Sequence, residues 1–168
     1  MELTKPNLRT YESHYTHMET SKIARFIVGK GTDHLGRNLQ EIWAFDDTTI
    51  ERTHDFIQWV FPLNEDSRAV STAPILFETD IDEIGASPVA KTNLRKSADW
   101  FVGFLTRNDF WLERSNHNHR RISRAIKSLT LLVGEDAARE FCDRILVLCD
   151  GHEHYMMGAI RHWLHAIE

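Results

Sequence analysis

The chain has 168 residues, 20 of them Lys or Arg and 25 Asp or Glu, for a formal charge of −5 with 42% hydrophobic and 27% charged residues. That length suits one domain with a real core, and the composition excludes disordered, collagen-like and low-complexity chains. The acidic balance argues against a nucleic-acid binder working through bulk charge, because phosphate contacts need a basic surface or a concentrated basic stripe. One number stands out, the ten histidines.

Met1 to Tyr15 carries no apolar core of a signal peptide, so the chain is expected to be cytoplasmic. Its longest apolar stretches, Leu131 to Val133 and Ile145 to Cys149, are far below the ~20 residues a membrane-spanning helix requires. Cys142 and Cys149 stand about 10 Å apart along an expected helix, too far for a disulfide, and read as reduced core thiols.

Apolar residues recur at three and four rather than two, which predicts an all-α fold, a single-domain bundle of five to seven helices with one long irregular crossing loop. Residues 1–20 read as a polar arm and 21–168 as the domain. A first helix is expected after Thr32-Asp33, with Leu35, Leu39, Ile42 and Trp43 on one face. A second is expected from Thr48, where Thr48-Thr49-Ile50-Glu51 fits a capping box, to Pro62, which stops it. Leu63 to Ala86 reads as the crossing loop, with a helical turn at Asp80 to Ile84. Ser87-Pro88 is N-cap plus first turn of a third helix whose core stripe is Leu94, Ala98, Phe101, Val102 and Leu105. A fourth spans Asn118 to Val133, with Ile122, Ala125, Ile126, Leu129, Leu132 and Val133 inward, and Gly134 ends it. A fifth runs from Glu135 to Cys149 over Phe141, Ile145 and Leu148. The last, His152 to Ile167, is expected to bury Tyr155, Ala159, Ile160 and Trp163.

On a continuous helix from Ile50 to Pro62, Glu51, His54, Asp55 and Gln58 fall within a stripe roughly 100° wide, while Ile50, Phe56, Ile57, Trp59, Val60 and Phe61 cover the rest. Such a helix belongs at the centre of a bundle, its polar stripe facing solvent or an internal polar site. Asn118, Arg121 and Arg124 on the fourth helix are the candidate partners, with an Arg fork meeting Asp55 or Glu51.

The run His54-Asp55-Phe56-Ile57-Gln58-Trp59-Val60-Phe61-Pro62 resembles the HDYIQWLFP signature of the opioid growth factor receptor conserved domain. Asp33, Gly36 and Arg37 resemble the family's D-x-x-G-R, and Glu51 the Glu of its L-E-x-x-H-D. Ser67 and Ala73-Pro74 sit in its following loop, and Ser97, Phe101 and Gly103 resemble its S-x-x-x-F-x-G. His117-Asn118, Arg121-Ile122-Ser123-Arg124 and Lys127-Ser128-Leu129 resemble its H-N-x-x-R-I-T-R-I-L-K-S-L run. The resemblance covers roughly Phe26 to Gly134 and reads as a short, tail-less member. It implies a helical domain and a receptor-like binding module, since animal members bind an opioid pentapeptide and are associated with the nucleus.

The candidate ligand-binding residues are therefore Arg37, Glu51, His54, Asp55, Gln58, Trp59, His117, Asn118, Arg121 and Arg124, with a peptide or small anionic ligand as partner, because Arg forks suit planar anions. The competing reading is a structural salt-bridge network tying two helices. The alternative function is a small helical enzyme or metal protein using His54, Asp55 and Arg121. His14-x-x-His17, His117-x-His119 and His152-x-His154 are the metal-like pairs, but His-x-His on a helix points its rings about 200° apart. No metal or other cofactor is expected, and no P-loop, nucleophile elbow or dinucleotide fingerprint names a reaction. A nucleic-acid face would need Arg114, His119, Arg120, Arg121, Arg124 and Lys127 together, and no nucleic-acid partner is expected.

Overall fold

Ser87 accepts from the Ala90 amide at 3.2 Å and Pro88 occupies the first turn, and from that start the longest helix runs to Arg107. The computed structural model describes residues 20–168, so the polar arm but for Thr20, and with it the His14/His17 pair, lies outside the described residues. The described residues are 62% helical with no strand. In chain order the helices are α1 Lys22–Ile27, α2 Leu39–Trp43, α3 Asp47–Arg52, α4 Ile57–Val60, α5 Glu78–Ala86, α6 Pro88–Arg107, α7 His117–Leu132, α8 Glu135–Leu148 and α9 Glu153–His165.

The long helices follow the apolar period. On α6, Leu94, Ala98, Phe101, Val102 and Leu105 are all buried, and on α7 so are Ile122, Ala125, Ile126, Leu129 and Leu132. α7 is the hub of the fold, packing against α5, α6, α8 and α9. Gly134 stands at φ +130 between α7 and α8, a backbone angle that side chains with a Cβ rarely adopt. The last helix is anchored by Met156, Trp163 and, just beyond its end, Ile167. Tyr155, Ala159 and Ile160, expected inside, are only partly buried. Cys142 and Cys149 are free and buried, and burial pushes each thiol up to about 11.

Four further expectations are corrected, and three of them raise the expected five to seven helices to nine among the described residues. The six-residue α1 is an extra element, too short to show a period of its own, and it buries Ile23, Ala24, Phe26 and Ile27. Leu35 is 60% exposed rather than on a core face, because residues 33–37 form a turn and α2 begins only at Leu39, capped by Asn38. The crossing loop carries a full helix, α5, longer than the turn expected within it, and pairs Leu63 with Ile75 through one isolated bridge.

The fourth correction decides the site. The single helix expected from Thr48 to Pro62 is two short helices, α3 and α4, with Thr53 to Phe56 extended or bent between them. Asp46, not Thr48, caps α3, accepting from the Thr49 amide at 2.7 Å. The polar stripe drawn on one continuous helix therefore does not exist.

Candidate functional site

With the helix broken, consecutive side chains leave in different directions and the ten candidate residues fall into two groups. Seven of them, Glu51, His54, Gln58, His117, Asn118, Arg121 and Arg124, gather between α3, α4 and α7. Arg37, Asp55 and Trp59 gather instead around the turn before α2.

Arg121 shows why the break is where it is. In a continuous helix the Ile50 carbonyl would accept from the His54 amide; here Arg121 Nη1 donates to it at 2.9 Å, and Nη2 donates to the Thr53 carbonyl at 2.8 Å. One guanidinium from α7 thus satisfies carbonyls that the end of a helix leaves open. Arg121 Nη1 also donates to Asn118 Oδ1 at 3.2 Å, and Nη2 lies 3.5 Å from His54 Nδ1. The charged group packs 5.5 Å from the centre of the buried Phe56 ring. Burial, partly offset by Glu51, pushes its pKa down to about 10, which leaves it charged at neutral pH. Arg124 repeats the device one turn later, donating to the Phe61 carbonyl at the end of α4 at 3.0 Å. Neither arginine forms the carboxylate fork expected of it; both hold backbone.

Glu51 is occupied from the other side. Its carboxylate accepts from Asn118 Nδ2 at 2.9 Å and lies 3.2 Å from His117 Nε2. His117 and His54 meet edge to face with ring centres 5.3 Å apart. Burial lowers the His117 pKa below the ordinary 6.5, with Arg121 and His54 acting in the same direction and Glu51 against it. The unfolded chain therefore binds a proton at His117 that the folded chain resists. Stability falls as pH drops from 6.5 through the folded value, and is fully present above 6.5. The side chain is 40% exposed, so the effect is small. His117→Asn should flatten the fall in melting temperature between pH 7 and pH 5 relative to the parent; an identical profile would remove His117 from this role.

The second group is built on Asp33. Its Oδ1 accepts from the Leu35 and Arg37 amides, each at 2.9 Å, and Oδ2 accepts from Arg37 Nε at 2.7 Å. Gly36 closes the turn at φ +82, which gives the D-x-x-G-R pattern its physical reason. Arg37 Nη2 donates to Asp55 at 2.9 Å, and His34 Nε2 lies 3.6 Å from the same carboxylate. These bonds outweigh the burial of Arg37 and raise its pKa. Trp59 stacks on His34 with ring centres 6.2 Å apart and is 4% exposed. Asp55 is thus held by Arg37 and His34, and no ion pair joins it to Arg121 or His117 among the described residues. The His54/Asp55/Arg121 constellation of the enzyme reading is not assembled.

The His117/His119 pair diverges as the helix geometry requires, whereas His152 and His154 both pack edge to face on the Tyr155 ring. His117 turns to Glu51, while His119 is buried, its Nε2 2.8 Å from the Trp111 carbonyl. Among the described residues no three His, Cys, Asp or Glu side chains converge as a metal site would require. The basic face is interrupted too, since His119 and Arg121 point inward.

A groove of about 990 Å³ opens beside the first group, between α4, the 63–69 segment and α7. Ile57 and Leu63 contribute its apolar part, and His54, Gln58, His117, Arg121 and Arg124 line it. Sequence reasoning did not place Arg68 and Glu65 here, because an aperiodic loop gives no signal of what it will cover. Arg120 and Lys127 were legible, lying with Arg124 at the four- and three-residue spacing that shares a helix face. Gln58 is 4% exposed; its Nε2 donates to the His54 carbonyl at 3.2 Å, and its Oε1 finds no donor among the described residues.

Fold and groove together define an all-helical domain with a cationic cleft against its central helix. Residues 31–109 match the family described as the opioid growth factor receptor (OGFr) conserved region. The resemblance read from the sequence is shown over that segment, which contains α2 to α6, the signature run and the Asp33 turn; the 117–129 run lies beyond its end. No curated protein and no solved structure matches the chain.

Proposed function

We propose that this chain is a receptor-like binding module whose groove between α4 and α7 takes a peptide or small anionic ligand. The observation that carries the reading is the charge of the groove: five cationic side chains, Arg68, Arg120, Arg121, Arg124 and Lys127, face two carboxylates, Glu65 and Asp66, in a chain whose net charge is −5. Such a local reversal of sign concentrates anions where the protein as a whole repels them. The volume lies at the upper end of the ~300–1,000 Å³ typical of small-ligand clefts. The apolar part of the groove supplies contact area, and the arginines supply orientation. Buried, reduced thiols suit work in the cytoplasm. Among the described residues, no helix is long and apolar enough to cross a membrane.

Among the described residues Arg120 is exposed and makes no ion pair, and Lys127 makes only a surface pair with Glu65, so neither holds the fold. The double variant Arg120→Glu/Lys127→Glu should therefore keep its melting temperature within about 2 °C. Its saturable binding of inorganic phosphate or N-acetyl-dialanine, measured by calorimetry at low salt, should be lost. Parent protein that binds neither probe, or a variant that binds both as the parent does, would refute the groove as the site.

A further inference from the structure

Resting on that reading, we infer that the ligand of the groove is a small phosphomonoester carrying a hydroxyl or amine near its phosphate, and that Gln58 reads that donor. The number of arginine forks favours phosphate over carboxylate. Arg68 and Arg120 have no acceptor among the described residues, and Arg124 spends one N–H on the Phe61 carbonyl while its others find no protein acceptor there. A carboxylate offers two oxygens and one charge, which a single fork satisfies. A phosphomonoester offers three terminal oxygens and close to two charges, suited to three guanidiniums that line one groove from α7 and the 63–69 segment. Lys127 adds a further positive charge on the same helix face and is partly neutralised by Glu65 at 2.9 Å.

Gln58 supplies the second, independent observation. A side-chain amide 4% exposed should have both ends satisfied, and leaving an acceptor unmet costs about 1–3 kcal/mol. The unpartnered Oε1 belongs to a side chain that lines the groove. It accepts only, so a ligand group that meets it has to bring an O–H or N–H. Ile57 and Leu63 line the same groove and suit a ligand's carbon skeleton.

Titration of the whole chain with three probes, inorganic phosphate, glycerol 3-phosphate and N-acetyl-dialanine, tests this, with amide and guanidinium NMR signals locating each. Both phosphates should saturate at the groove and bind at least about tenfold more tightly than the carboxylate, the difference expected for one charge-assisted hydrogen bond. Gln58→Leu, similar in size, should weaken glycerol 3-phosphate about tenfold and leave inorganic phosphate unchanged, since only the ester brings a donor to that position. If the carboxylate binds as tightly as the phosphates, the phosphate assignment fails and the groove stands. If no probe perturbs the groove, both fail. If Gln58→Leu affects the two phosphates alike, Gln58 does not read the ester.

Discussion

Replacing Arg121 by alanine is expected to destabilise the fold by about 3–5 kcal/mol, among the largest effects of any single polar substitution in this chain. The guanidinium makes hydrogen bonds to the Ile50 and Thr53 carbonyls and to Asn118 Oδ1, and Arg121 is 5% exposed. Removing it leaves carbonyls at a helix end with no donor and opens space against Phe56. Each orphaned buried acceptor costs about 1–3 kcal/mol, and the lost packing of the long side chain adds to that. Arg121→Lys should recover little, because an ammonium on a flexible stem cannot span two carbonyls as a planar fork does. Chemical denaturation measures this directly: a lowered midpoint with an unchanged slope is expected. An Arg121→Ala protein within about 1 kcal/mol of the parent would show that the break between α3 and α4 is held by something else.

Asp33→Ala should cost about 3–4 kcal/mol, for a different reason. Asp33 is 2% exposed and its carboxylate accepts from two amides and from Arg37. Alanine leaves those donors facing a void and frees Arg37, whose hold on Asp55 ties the 33–37 turn to the start of α4. Asp33→Asn should fall between, keeping one acceptor oxygen for the amides while losing the charge that Arg37 meets. Neither variant should change anion binding in the groove once it is folded, because the turn and the groove share no side chain. A matched loss of phosphate binding in a protein still folded by circular dichroism would contradict the separation of the two groups.

That separation was the part least legible in the sequence. Helices α6, α7 and α8 could be read because each is long enough for its apolar period to repeat, and Ser87-Pro88 and Gly134 punctuate them. The stretch from Ile50 to Pro62 misleads for the opposite reason. Phe56 to Phe61 is apolar at every position but Gln58, so no period distinguishes one helix from two. What stops the helix at Thr53 is a guanidinium from α7, donated to the Ile50 and Thr53 carbonyls. A break made by a residue that far along the chain leaves no local mark. Seven of the ten candidate residues nonetheless come together, between α3, α4 and α7. Asn118, Arg121 and Arg124 do meet the α3–α4 region as expected, but they meet its backbone and Glu51 rather than Asp55. Asp33-x-x-Gly-Arg could be recognised as a pattern, yet that its carboxylate closes a turn and orients Arg37 shows only in the fold.

The structural network and the proposed ligand site lie side by side and share Arg121 and Arg124, which hold backbone carbonyls and also line the groove. Arg121, Asn118, Glu51 and the Asp33 turn hold the structure together; the groove beyond them is lined by Arg120, Arg124, Lys127 and Gln58. The most direct measurement is an NMR titration of the labelled chain with inorganic phosphate at low salt, following the Gln58 side-chain amide and Arg124 beside those of Arg37 and Trp59. Saturable shifts confined to Gln58, Arg124 and their neighbours are expected, with Arg37 and Trp59 unmoved. Shifts centred on Arg37 and Trp59, or none at either place, would contradict the assignment of the groove as the binding site.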